Sequence, residues 1–93
     1  MNNGTRINEL LKNQGFDWEN YGIVSLSSTS VGLKIMVNCR TSNATWYHIN
    51  DTGNEKFQVT KGLFNNEILD DNIPTDELSV RFAKGLAQWF IIL

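Results

Sequence analysis

The sequence has few of the residues that build disulfides, zinc sites and catalytic triads. It contains one cysteine, Cys39, and one histidine, His48, among 93 residues. A single cysteine cannot form an internal disulfide, and these two side chains fall short of the ligand set of a structural zinc site. Nucleophilic catalysis needs a nucleophile, a base and a group that orients the base. We therefore expect a protein that is not an enzyme, with no catalytic residues, no metal site and no cofactor.

Long apolar runs and an excess of basic residues are also lacking. The longest apolar run covers residues 89–93, whereas a membrane helix needs about 20 residues. No segment near the N-terminus resembles a secretory signal. The formal net charge of −2 gives no broad basic surface, and the scattered glycines match no phosphate-binding loop. We expect a cytoplasmic protein with no membrane partner.

The residues that are present indicate a small globular domain. Hydrophobic residues make up 41% of the chain and charged residues 19%, a balance that is typical of folded proteins. This length accommodates one domain, which we place at residues 1–93.

Helical spacing of apolar residues marks both ends of the chain. The first helix is predicted to begin at the N-cap Thr5 and to stop at Gly15. The last helix is predicted to begin at the N-cap Thr75, with acidic residues in its first turn. Its apolar positions are Leu78, Phe82, Leu86 and Trp89. The spacing leaves open whether residues 89–93 continue this helix or form a strand.

Between the helices, alternating residues predict an antiparallel meander of about four strands. The predicted strands are residues 22–27, 33–40, 44–50 and 55–60. Turn residues at 41–43 and 51–53 connect the last three of them. Residues 61–74 are predicted to be an irregular acidic connector, attached to the core by Phe64, Ile68, Leu69 and Ile73. The predicted class is therefore α+β, in the order α-β-β-β-β-α.

The two turns also predict which side chains share a face of the sheet. Three-residue loops place Val37 opposite Tyr47 and Tyr47 opposite Phe57, and residues directly opposite share a face. The apolar set then lies together, as Leu33, Ile35, Val37, Cys39, Tyr47, Ile49, Phe57 and Val59. A second loop of two or four residues would instead place Trp46 and His48 with Phe57 and would split this set.

The outer face of the predicted sheet is the first candidate binding surface. Its proposed contact residues are Lys34, Met36, Arg40, Trp46, His48 and Lys56. Tryptophan, methionine and arginine are enriched at the centres of protein interfaces. The alternative is structural, with one of the helices covering this face.

A second candidate surface is acidic. Glu67, Asp70 and Asp71 lie in a stretch without basic residues between Lys61 and Arg81. Their spacing does not match a calcium-binding loop. We expect them to be solvated or to face a basic partner.

Together these features favour a non-enzymatic module that binds a protein partner, as an inhibitor or regulator of a larger protein. The helix–meander–helix layout resembles that of small phage-encoded accessory proteins, including some anti-CRISPR inhibitors, and this resemblance implies such an inhibitory role. One alternative is a nucleic-acid-binding protein that uses the basic, aromatic sheet face. Another is an assembly subunit or homodimer that associates through its apolar C-terminus.

Overall fold

A computed structural model describes residues 2–20, 23–38, 44–62 and 67–89 of the chain. In chain order its elements are helix α1 (Asn3–Asn13), a 3₁₀ turn (Trp18–Asn20), strands β1 (Ile23–Ser28), β2 (Gly32–Asn38), β3 (Ala44–Gly53), β4 (Lys56–Lys61) and β5 (Glu67–Pro74), a second 3₁₀ turn (Thr75–Glu77) and helix α2 (Leu78–Trp89). The α+β class is confirmed, with five strands rather than about four.

Helix α1 begins earlier than predicted because its N-cap is Asn2 and not Thr5. The Asn2 side chain accepts hydrogen bonds of 2.9 Å from both the backbone N–H and the hydroxyl of Thr5. The predicted stop is confirmed, since Gly15 has a φ of 88°. The N–H of Phe16 then donates to the Leu11 carbonyl at 2.9 Å. This bond is typical of a Schellman helix end, and it turns Phe16 into the core.

The strands pair in chain order, and every pair is antiparallel. The predicted register between β2 and β3 is wrong by two residues, because Tyr47 lies opposite Ile35 and Val37 lies opposite Thr45. A shift of two residues keeps every side chain on the same face of a strand. The predicted division of faces is therefore confirmed for the described core residues, while Cys39 lies outside the described part of the chain.

The turn between β3 and β4 lies at Asn54 and Glu55, not at the predicted Asp-Thr-Gly segment. These residues have φ values of 54° and 58°, as a tight two-residue hairpin requires. Such a loop alone would move Phe57 to the outer face. A bulge in the register just before the turn keeps Phe57 on the core face. Phe57 therefore lies opposite Asp51, whereas Tyr47 was its predicted partner, and it remains buried.

The prediction that residues 61–74 are irregular is wrong, because strand β5 occupies Glu67–Pro74. Its pairing with β4 contains two register irregularities, and Asn72 has a φ of 51°. These irregularities interrupt the alternation of apolar and polar residues, so the sequence pattern did not reveal a strand. Ile73 is buried as predicted, whereas Ile68 is 59% exposed. Phe64 lies outside the described residues.

A residue from the other end of the chain caps the start of α2. Thr75, the predicted N-cap, instead begins the preceding 3₁₀ turn and makes no side-chain capping bond; its hydroxyl donates to the Glu55 carbonyl. The Gln14 side chain accepts a 2.9 Å hydrogen bond from the Ser79 N–H and donates a 2.7 Å bond to the Thr75 carbonyl. One amide therefore satisfies backbone groups at the start of α2 and holds it against the end of α1.

Both helices pack on the same face of the sheet. Helix α1 lies over β2, with β1 and β3 on either side, and α2 lies over β5. The enclosed core consists of Ile7, Leu11, Phe16, Leu33, Ile35, Tyr47, Ile49, Phe57, Val59, Ile73, Leu78, Phe82 and Leu86. Within the described residues, neither helix covers the outer face. No helix there has both the length and the apolar character needed to cross a membrane.

Candidate docking face

The sheet has a second face, on which the described helices do not pack, and we call it the open face. Its side chains alternate along the strands with those of the core. They are Ser25, Ser27, Lys34, Met36, Trp46, His48, Asn50, Lys56, Gln58, Thr60 and Ile68. This set includes five of the six residues predicted to contact a partner; Arg40 lies outside the described residues.

Residues of the open face form rows across the strands. One row crosses the whole sheet, because each of its members lies opposite the next: Ser27, Lys34, His48, Thr60 and Ile68. In the neighbouring row Met36 lies opposite Trp46. Opposite side chains are in direct contact range. Lys34, Met36, Trp46 and His48 therefore form one continuous patch, which we call the Trp46 patch.

The Trp46 patch combines a cation with an aromatic ring. The Lys34 ammonium lies over the Trp46 ring, 4.4 Å from its centroid. Both side chains remain partly exposed. A cation over an indole face is an attractive pair, worth about 0.5–1 kcal/mol at exposed sites. The contact therefore favours one arrangement of the two side chains and lowers the entropy cost of ordering them on binding.

His48 is the most deeply placed polar side chain of the patch. It is 9% exposed, and its Nδ1 atom is buried without a hydrogen-bond partner among the described residues. Burial, followed by the positive charge of Lys34, lowers the pKa of His48 below its usual value of 6.5. A lowered pKa leaves the imidazole uncharged at neutral pH. The lysines therefore supply the positive charge of the open face.

Positive charge in the Trp46 patch comes from Lys34. On strands β1 to β4 the described residues of the open face include Lys34 and Lys56 and no carboxylate. Asp51 lies on the helix side of the sheet, where it forms an ion pair with Arg6. Lys34 therefore has no carboxylate opposite it on the neighbouring strands, although the whole chain carries a net charge of −2.

The structure separates Lys56 from the Trp46 patch. Lys56 lies opposite Gly53 at the turn end of the sheet, seven positions along β3 from Trp46, or about 20 Å at the usual rise per residue. It lines a shallow cleft that also includes Glu55 and Asp76. Lys56 is therefore a peripheral residue of the open face, beside acidic groups.

The residues of the predicted acidic surface are only partly free. Asp70 accepts hydrogen bonds of 3.1 and 2.5 Å from the Arg81 guanidinium of α2. The hydrogen bond with Asp70 is also the main reason why the pKa of Arg81 is raised. Glu67 lies opposite Lys61 on the neighbouring strand, and Asp71 is exposed. The structure thus places Asp70 in an internal ion pair that attaches α2 to β5.

Thr60 and Ile68 belong to the open face but were not among its predicted contact residues. Thr60 continues the alternation of Lys56 and Gln58 along β4, and extending that alternation would have found it. Ile68 lies opposite Thr60, but it belongs to the strand that the sequence pattern did not reveal. Its exposed side chain adds apolar surface at the β5 end of the row.

The described residues contain no group of three or more histidine, cysteine, aspartate or glutamate side chains placed to hold a metal ion. No family model, no curated protein and no solved structure matches this chain. The geometry of the open face is therefore the basis for assigning a function.

Proposed function

We propose that this protein is a non-catalytic binding module that docks onto a larger protein through the open face and inhibits or regulates it. One observation carries the proposal: the Trp46 patch lies on the sheet face that neither described helix covers. Tryptophan is among the residues that dominate binding energy in protein interfaces, and methionine is enriched there. A rigid sheet presents them without prior rearrangement.

The chemistry of the patch also describes its partner. Lys34 lies opposite Ser27 and His48, with no carboxylate opposite it, and therefore favours an acidic surface. The Trp46 ring and the Met36 thioether favour an apolar or aromatic recess at the centre of that surface. We therefore expect a partner with a hydrophobic pocket surrounded by aspartate and glutamate side chains.

Direct binding measurements test this proposal. The wild-type chain serves to isolate a partner from the cells that express it, and the purified partner is then titrated calorimetrically. Truncating a central tryptophan anchor costs about 2 kcal/mol or more of binding energy, so we expect Trp46→Ala to weaken binding at least about 30-fold. Lys34→Ala should weaken binding less, and its effect should shrink as salt is raised.

The matched controls lie on α2, away from the open face. Lys84→Ala removes an exposed lysine and Val80→Ala an exposed apolar side chain. Both should leave the affinity unchanged. Equal affinities for wild type and Trp46→Ala would refute the proposal.

Fluorine NMR gives a second, independent test. The three tryptophans, Trp18, Trp46 and Trp89, are labelled with 5-fluorotryptophan and assigned by substitution. Trp18 donates to Asn8, and Trp89 stacks on Tyr47, so both report the helix side. Binding at the open face should shift the Trp46 resonance most. A shift confined to the other two would place the interface elsewhere.

Single-stranded nucleic acid is the second candidate ligand. An aromatic ring with an adjacent cation is a stacking platform for bases, and the Lys34–Trp46 pair provides one. Only one exposed ring is present on the described open face, where sheet-based RNA readers use two or three. This candidate predicts that a labelled oligothymidine binds and is released steeply as salt rises. Absence of binding at low salt would eliminate it.

A further inference from the structure

Among the strands that the structure describes, β1 and β5 are the two outer edges of the sheet. An edge strand presents backbone N–H and C=O groups that another strand can pair with. Natural proteins usually protect such edges with charges, prolines or bulges. The two edges of this sheet differ sharply in that protection.

Strand β5 is well protected. It carries the charged residues Asp70 and Asp71, and its last residue, Pro74, has no N–H to donate. Asn72 has a left-handed φ of 51°, and the pairing with β4 is irregular on both sides of Val59. These features disfavour regular pairing with a further strand.

Strand β1 has none of the chemical protection. It consists of Ile-Val-Ser-Leu-Ser-Ser, without charge and without proline. Its one register irregularity lies at its start, between Ile23 and Ser25. Helix α1 lies over β2 rather than at the outer edge of β1. Leu26, which points to the helix side, remains 36% exposed.

We propose that β1 pairs antiparallel with β1 of a second copy of this chain. The two-fold axis passes through the level of Leu26, so that Leu26 lies opposite Leu26 of the second copy and Ser25 lies opposite Ser27. Two copies fit because the strand is uncharged, and self-pairing brings no like charges together. The pairing also covers the exposed part of Leu26 with an identical side chain.

The symmetry of this pairing has a definite geometric consequence. Antiparallel strands are related by a two-fold axis perpendicular to the sheet, so both copies keep the same face on the same side. Two sheets of five strands would join into one of ten strands. The two Trp46 patches then face the same direction. A partner with repeated acidic sites would bind both patches, with a gain from effective concentration.

The expected dimer is weak, because a short strand pair buries much less surface than a standard interface. Sedimentation velocity of the full chain, from about 10 µM to about 1 mM, should therefore show a dimer fraction that rises with concentration. Light scattering at the highest concentration gives an independent mass.

Charge substitutions on β1 test the pairing and its register. In the double variant Ser25→Lys/Ser27→Lys, lysines face each other across the axis, and dimerisation should be lost. In Ser25→Lys/Ser27→Glu, each introduced lysine faces an introduced glutamate, and dimerisation should be retained. Within one chain, residue 27 lies opposite Lys34, so Ser27→Lys adds a repulsive pair and Ser27→Glu an attractive one; the stability of each variant is therefore measured beside its dimer fraction. Circular dichroism verifies that each is folded.

Ile68→Lys on β5 is the matched control at the other edge, and it should leave the dimer fraction unchanged. Three results would overturn the proposal: a wild-type chain that stays monomeric at about 1 mM, a dimer that survives Ser25→Lys/Ser27→Lys, or a dimer that both double variants abolish equally. None of these results depends on whether the open face binds a partner.

Discussion

The two faces of the sheet are built from the same strands and differ in what their alternate residues do. On the covered face, side chains such as Tyr47, Ile49 and Phe57 are almost completely buried beneath the helices. On the open face, the neighbouring Trp46 and His48 lie among lysine, serine and threonine. Large side chains occur on both faces, but the buried apolar cluster lies on the covered face.

The two faces therefore serve two different requirements of one sequence, stability of the fold and recognition of a partner. Burial of apolar area is the dominant favourable term in folding, so the covered face should dominate stability. On the open face, His48 and Thr60 are buried, whereas Lys34, Met36 and Trp46 are partly exposed and available for recognition. Substitutions should therefore divide into a class that unfolds the protein and a class that weakens binding.

The largest expected effect is on the covered face, at Phe82. This side chain is fully buried and contacts the rings of Phe16, Trp18 and Trp89, with centroids 5.4, 5.9 and 6.3 Å away. Phe82→Ala should lower the free energy of unfolding by about 3–5 kcal/mol, because it leaves a cavity. Denaturation in urea, followed by circular dichroism, measures this change.

The control for Phe82 lies two residues away on the same helix. Val80 is 69% exposed, so Val80→Ala should change the unfolding free energy by no more than about 0.5 kcal/mol. If Phe82→Ala leaves the protein unfolded, Phe82→Leu should still show a loss of about 1–2 kcal/mol. Similar losses at Val80 and Phe82 would contradict the assignment of the covered face.

The next largest effect concerns the side chain that joins the helices. Gln14→Ala removes two hydrogen bonds: the one that its side-chain oxygen accepts from the Ser79 N–H, and the one that its side-chain amide donates to the Thr75 carbonyl. We expect a loss of about 1–2 kcal/mol, as for the removal of a helix cap. Asn13→Ala, at an exposed neighbouring position, should have almost no effect. An unchanged midpoint for Gln14→Ala would show that the bridge does not stabilise the fold.

On the open face, Trp46→Ala should cost little stability. The substitution removes the cation–π contact with Lys34 and partly exposed apolar area, which together amount to about 1 kcal/mol. The same urea titration measures it beside Phe82→Ala. A loss as large as that of Phe82→Ala would mean that Trp46 belongs to a core and would remove the basis for the docking face.

The smallest effect is a pH dependence that arises at His48. Its pKa is lowered in the folded state, so between that lowered value and about 6.5 the unfolded chain binds more protons. Stability from this residue is therefore complete above about pH 6.5 and falls as the solution is acidified. Its neighbours in the row are Lys34 and Thr60, and Lys34 stays charged throughout this range.

His48→Gln isolates that dependence from the protonation of carboxylates elsewhere. Melting temperatures at neutral pH and at about pH 5 should show a larger acid-induced decrease for wild type than for His48→Gln. Equal decreases in the two proteins would assign the pH dependence to other groups.

The sequence predicted the division of faces better than the pairing. Both hairpin registers were wrong, yet by even numbers of residues, so that Phe57 and Tyr47 stayed on the apolar face. Period-2 alternation determines the face of a side chain, whereas the exact partner also depends on loop length and bulges. The bulge before Asn54 leaves no such periodic signal.

Two features lay beyond sequence reasoning for physical reasons. Strand β5 is irregular and carries few buried residues, so that it lacks the alternation by which strands are recognised. The bridge made by Gln14 joins residues 65 positions apart, and a polar residue at a helix end gives no indication of a distant partner. The Trp46 patch, by contrast, was predictable because it follows from alternation alone.

The bond between Gln14 and Ser79 also constrains how the chain is made. During synthesis, Gln14 leaves the ribosome long before Ser79. Its side chain therefore has no Ser79 N–H to bind while most of the chain is being made. Contacts of such large sequence separation slow folding, because a long loop must close before they form. We therefore expect the Gln14 bridge to form late, after α1 has packed on β1, β2 and β3.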